Sequence, residues 1–275
     1  MKANKLWGAL LATMVGLAMT ASPSDAEAQA KKKPAAAAGP SGPATTKKAV
    51  ELEPSGLAWG MSMKQVAALY DKVLDEDYKP RYQKVSPGVK MRELDASLAE
   101  DKATFRRSRI DFGKLPTGVD ASPLKGEYSY QNKESLMSLT RNGQTRHFFF
   151  IQDKLWKVID EVKLDGGALG KNFPEAAVKL TAKYGVPGRV IPPNEDAGIF
   201  ITVVDWKDSK THVRLIERSD TAVAVAYEDS ATLANIDNLR TNKPKQEEAI
   251  DPAVAAAIRG TAPEAPPPDD KNKKK

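Results

Sequence analysis

Residues 135–162 read SLMSLTRNGQTRHFFFIQDKLWKVIDEV, and this stretch decides the fold. Asn142-Gly143 separates two runs of strand character, residues 135–141 and 145–152. Both turn residues accept positive φ, so the pair predicts a tight hairpin. Phe148-Phe149-Phe150-Ile151 puts large apolar side chains on both faces of one strand, the mark of an inner strand covered on two sides. Asp153-Lys154 turns the chain again into residues 155–162. Upstream, residues 126–131 and the polar turn Asn132-Lys133-Glu134 read as one more strand, which makes a four-strand antiparallel meander.

Helices flank this meander. Ser62 with Gln65 forms a capping box, with Met61 and Val66 as its hydrophobic staple. Val66, Leu69, Tyr70, Val73 and Leu74 then share one helix face, and Pro80 limits the helix. A second, highly charged helix is expected around 91–108. Beyond the meander, Asn172 and Glu175 open a helix whose face is Phe173, Ala176, Ala177, Leu180 and Tyr184. Gly185 suits its left-handed cap, and Pro187 blocks continuation. Three strands follow at about 198–206, 211–218 and 221–228, then a short helix over 230–240. The expectation is an α+β fold, with helices packed on antiparallel meander sheet and a duplicated α-β-β-β unit whose halves are 55–165 and 166–240.

The ends differ from this domain, 55–240. Lys2 and Lys5 precede an uncharged apolar run over 6–21, then Ser22-Pro23 and small residues up to Ala30. This predicts a signal peptide over 1–30, cleaved after Ala28 or Ala30. The run is shorter than the roughly 20 residues that span a bilayer. Residues 31–54 and 241–275 are rich in Lys, Ala and Pro and read as a disordered linker and tail. The chain has no Cys, hence no disulfides. Together these features imply export to the bacterial periplasm or beyond.

The net charge of +6 lies in the tails: residues 31–50 carry five Lys and no acid, whereas 51–240 hold 28 basic and 28 acidic residues. A neutral domain argues against nucleic-acid binding, which concentrates positive charge on the folded surface. The Lys-rich tails would give at most salt-sensitive, peripheral contact with anionic lipid or wall polymer.

Candidate chemistry is sparse. The histidines are His147 and His212, and there is no Walker A loop, G-x-S-x-G or H-E-x-x-H, so no cofactor or metal is expected. Asp153, Asp160, Glu161 and Glu195-Asp196 are carboxylates that would pair as general acid and base, or else turn and surface residues. Asp205, Asp208 and Asp220 offer oxygen ligands without a calcium-loop spacing. Arg106, Arg107 and Arg109, with Lys102, form the densest basic patch and a candidate anion or partner contact, or a solvated helix face paired with nearby acids. Trp59, Trp156 and Trp206 are candidates for an aromatic groove, or for the core.

Trp59-Gly60-Met61-Ser62-Met63-Lys64-Gln65-Val66 resembles the G-M-S/T-x-x-x-V helix opening of small outer-membrane-assembly lipoprotein domains of the SmpA/OmlA type. Leu180 with Lys183-Tyr184-Gly185-Val186-Pro187, followed by Val204-Asp205-Trp206-Lys207-Asp208, resembles a later passage of the same domains. Trp206, Asp208, Thr211, Val213 and Leu215 are also similar to a W-x-D…T-x-V-x-L pattern of exported proteins of undefined activity. The first resemblance implies helices followed by a three-stranded antiparallel sheet, and an envelope-assembly role. The lipid-anchor Cys of that family is missing here. Three functional expectations follow: a non-enzymatic exported module binding a protein or envelope polymer, an assembly factor of the SmpA/OmlA type, and a hydrolase using a carboxylate, His147 or His212.

Overall fold

The computed structural model describes residues 42–114, 124–194 and 200–242. The expected signal peptide, the tail from residue 243 onward and Glu195-Asp196 lie outside the described residues. The elements run in the order β1 (Ala44–Thr45), α1 (Met63–Tyr82), α2 (Val89–Arg107), β2 (Ile110–Asp111), β3 (Glu134–Arg141), β4 (Gln144–Ile151), β5 (Lys154–Lys163), α3 (Phe173–Tyr184), β6 (Arg189–Ile191), β7 (Val203–Lys207), β8 (Thr211–Ser219), β9 (Ala222–Asp229), α4 (Ser230–Ala234) and α5 (Ile236–Leu239). The mixed α+β class is as expected from the sequence.

Local signals set the helices. The Ser62 hydroxyl accepts from the Gln65 amide at 3.3 Å, and the Gln65 side chain accepts from the Ser62 amide at 2.8 Å. The helix runs through Pro80 for two more residues, past its expected end. Asn172 caps α3 through the Glu175 amide, and Gly185 closes it at φ 75°.

The strands form one sheet in the order β1-β7-β8-β9-β5-β4-β3-β2, with β6 on the same edge of β7 as β1. Two antiparallel meanders, β3-β4-β5 and β7-β8-β9, meet where β5 pairs antiparallel with β9, from Lys157 opposite Glu228 to Lys163 opposite Ala222. Residues 126–131 are not the strand expected from the sequence. Gln131 and Lys133 take φ of 61° and 57°, which breaks extended pairing, and β2 occupies the edge of β3 instead.

Each meander has its own helical cover on one face. Val66, Ala67 and Tyr70 of α1 and Phe105 of α2 pack on Met137, Leu139, Phe148, Phe150 and Val158. Ala176, Leu180 and Tyr184 of α3 pack on Val204, Trp206, Val213, Leu215, Val223 and Val225. Tyr227 touches both clusters, so the helices share a face. The opposite face buries Phe149, Ile151, Trp156, Ile159, Ile216, Ala224 and Ala226 under Phe112, Leu124, Tyr128, Tyr130 and α4–α5. The small alanines of β9 let that layer approach closely, as their alternation predicts.

Residues 44–57 cross the helical face as a strap. Ala44 and Val50 pack on the α3 cluster, Leu52 and Leu57 on the α1 cluster. The Lys47 amide donates to the Tyr184 carbonyl at 3.0 Å and the Val50 amide to Asp208 Oδ2 at 2.7 Å. The stretch 42–54 is therefore docked on the domain rather than part of a structureless linker.

Candidate functional site

A cleft lies over the seam between the two meanders. Because α1 covers one meander and α3 the other, Asp160 and Val162 of β5 and Tyr227 of β9 are left only half-buried between them. The cavity measures about 760 Å³. Its floor is Asp160, Val162, Val225 and Tyr227. Lys179, Leu180 and Lys183 of α3 form one wall, and Asn142, Gly143 and Gln144 of the β3–β4 hairpin another. Asp165, Gly167, Ala168, Leu169 and Glu53 of the strap complete the rim. The volume is that of a small-ligand site.

At one end of the cleft the floor is charged and fully wired. Arg146 on β4 meets Asp160 on β5 through Nε–Oδ1 at 2.5 Å and Nη2–Oδ2 at 2.7 Å. Its Nη1 donates to the Tyr70 hydroxyl at 2.8 Å and to the Glu53 carbonyl. Burial opposes the charge on Arg146, but the Asp160 carboxylate outweighs it and holds the guanidinium above the usual arginine range. Burial raises the Tyr70 phenol, with Arg146 opposing, and pushes Tyr184 up to about 12. Both phenols therefore stay protonated at physiological pH.

Beneath the seam, the other face carries a ladder of charges across five strands. Arg189 on β6 pairs with Asp205 on β7 at 2.5 Å. His212 on β8 lies between Asp205, 3.3 Å from Nε2, and Glu228 on β9, 2.9 Å from Nδ1. Arg214 and Lys157 both reach Glu228, at 2.8 and 3.2 Å, and both reach Glu127 at 2.7 Å. Burial disfavours the Glu127 carboxylate, yet Lys157 and Arg214 outweigh it and bring it down to about 2. Burial likewise opposes Glu228, and His212, Arg214 and Lys157 hold it below the usual carboxylate range. Every charge in the ladder has a partner, so this face locks the sheet together; the open polar groups lie in the cleft.

The residues singled out from sequence scatter. Arg106 pairs with Asp71 of α1, Arg107 with Glu100 at 2.5 Å and Arg109 with Asp111 at 2.9 Å, so each arginine is neutralised locally. Trp206 is buried under α3, Trp156 is buried on the opposite face, and Trp59 donates to the Thr211 hydroxyl at 3.1 Å. They line no common groove, because side chains on opposite faces of a sheet cannot converge. His147 and His212 stand on strands separated by β5 and β9, about 14 Å apart at ordinary strand spacing. The Ser138 hydroxyl is 2.8 Å from His147 Nδ1. Among the described residues no carboxylate orients the far side of that ring, and burial lowers its pKa. Asp153 caps α1 through the Met63 amide, and Asp208 accepts from the amides of Val50, Lys210 and Thr211. Asp205 is tied to Arg189 and His212. Glu161 pairs weakly with Arg218 at 3.4 Å. Sequence reasoning passed over Lys179, Lys183, Asn142 and Gln144 as ligand groups; the i, i+4 spacing of the two lysines on α3 was the available signal.

No family model, curated protein or solved structure matches this chain.

Proposed function

We propose that the protein is a non-enzymatic binding module, exported to the bacterial envelope, and that the seam cleft is where it engages its partner. One observation carries the reading: the fold seals one face of the sheet at β5–β9 and leaves the other open as a cavity of about 760 Å³. The signal-like residues 1–30 support export. The two halves support a duplicated unit, since each is a helical cover followed by a three-strand antiparallel meander, joined last strand to last strand. In that view the cleft lies on the approximate twofold between the copies and arises from their union.

A photo-crosslinking residue at Ala168, on the cleft rim, compared with one at exposed Val89 on α2, tests the assignment in intact cells. The expected result is one reproducible adduct from position 168 and none from 89. The same products from both, or none from either, would overturn it. N-terminal sequencing of periplasmic material should begin at Gln29 or Lys31; full-length chain in the cytosol would remove the envelope assignment.

A further inference from the structure

Resting on the cleft as the binding site, we infer that its ligand is a short acidic peptide with interspersed apolar residues. Three kinds of unused group meet there. Lys179 and Lys183 stand one helical turn apart on α3, so their stems leave the same face of the helix. Among the described residues neither ammonium has a carboxylate partner: Lys179 donates only to the Gly167 carbonyl at 3.2 Å, and Lys183 sits 5.8 Å from the Tyr184 ring centre. Three acids line the cleft: Asp160 is committed to Arg146, Asp165 accepts from the Gly167 amide at 3.0 Å, and Glu53 belongs to the strap, where its carbonyl accepts from Arg146. The Asn142 and Gln144 side chains, on the facing wall, carry amides that the described residues leave without hydrogen bonds. Val162 on the floor and Leu169 on the rim, both half-buried, give an apolar strip.

A peptide satisfies all three. Its carboxylates match the lysine pair, its backbone amides exchange hydrogen bonds with Asn142 and Gln144, and alternate apolar side chains reach the strip. A bare inorganic anion would use the lysines alone and leave the strip and the amides idle.

The test is fluorescence anisotropy of the full mature chain with a capped, labelled peptide of alternating Glu and Val, and its Gln-Val and Lys-Val counterparts, at about 0.15 M salt. The Glu-Val peptide should bind saturably below about 1 mM, and the Gln-Val peptide about tenfold more weakly. The double variant Lys179→Glu/Lys183→Glu, both exposed positions, should reverse the preference toward Lys-Val. The control Lys90→Glu/Lys154→Glu changes net charge equally away from the cleft and should stay within about twofold of the parent. Equal binding of the Glu and Gln peptides, or no saturable binding, would overturn the acidic-peptide assignment. Ala168→Trp, which fills the rim, separates the two failures. If it blocks a peptide whose binding ignores charge, the cleft stands and the acidic preference falls. If it leaves binding intact, the cleft itself is the wrong place.

Discussion

Arg146 and Asp160, neighbours across the β4–β5 ladder, meet as a two-point ion pair that closes one end of the seam cleft. Each is mostly shielded from solvent, at 24% and 17% side-chain exposure. Removing one partner strands the other, whereas removing both does not. Asp160→Asn should therefore cost about 2 kcal/mol in urea denaturation. Arg146→Met combined with Asp160→Leu should recover about half of that loss. A double variant less stable than the single would show that the pair is not the coupled unit its geometry describes.

Acid should unfold the protein through the ladder on the other face. Glu127 is held at about 2, below its ordinary 4.5, and Glu228 is displaced in the same direction. A carboxylate whose folded pKa is depressed stabilises fully above its unfolded value. That contribution fades as pH falls from about 4.5 toward 2, because the unfolded chain then binds the proton more readily. For Glu127 it is of order 3 kcal/mol. Thermal unfolding between about pH 5 and pH 2 should show a steep fall in Tm, and Lys157→Met should flatten it by relieving the depression of both acids. A slope unchanged by Lys157→Met would contradict the assignment.

Gly188 is required by packing rather than by backbone conformation. A Cβ there would lie 2.4 Å from Val204 and 2.6 Å from the Trp206 ring, both buried beneath α3. Trp206 is fixed in place by the bond from Nε1 to the Val186 carbonyl at 3.0 Å and by the Tyr184 ring at 5.5 Å. The ring has nowhere to retreat, so Gly188→Ala should destabilise by about 2 kcal/mol. Denaturant melts monitored by tryptophan fluorescence would check this; a loss below about 0.5 kcal/mol would mean that the loop yields instead.

Sequence-local features were the legible ones. The Ser62–Gln65 box, the Asn172 cap with Gly185, and the Asn142-Gly143 hairpin each encode their geometry within a few residues, and each appears in place. What escaped depends on distant partners. Three-residue β6 exists because Asp205 and Val203 offer it an edge, and 126–131 is held off the sheet by Lys157 and Arg214, which claim Glu127. The pairing of β5 with β9 carries no local mark, and the cleft is its direct consequence. The candidate arginines and tryptophans were chosen by residue type, whereas a binding site is a matter of which groups remain unpaired after folding.

The docked strap gives the last prediction. Residues 44–54 of the strap read as linker because their composition is poor in large apolar groups, yet three amides converge on Asp208: Val50 at 2.7 Å, Lys210 at 2.8 Å and Thr211 at 2.7 Å. These bonds outweigh burial and lower the Asp208 carboxyl. Asp208→Ala frees the Val50 amide, and the pairing of Ala44–Thr45 with β7, the Thr46–Lys207 and Lys47–Tyr184 bonds and the apolar contacts of Ala44 and Val50 then hold the strap's start. Global stability should drop by about 1–2 kcal/mol, through the lost hydrogen bonds. Hydrogen exchange at residues 47–53 should accelerate by more than that global change explains, because local opening costs less than unfolding. Since Glu53 rims the cleft and its carbonyl accepts from Arg146, ligand affinity should fall alongside. Exchange that accelerates uniformly over the whole domain would show that Asp208 supports the β7–β8 turn alone and that the strap is held by its apolar contacts.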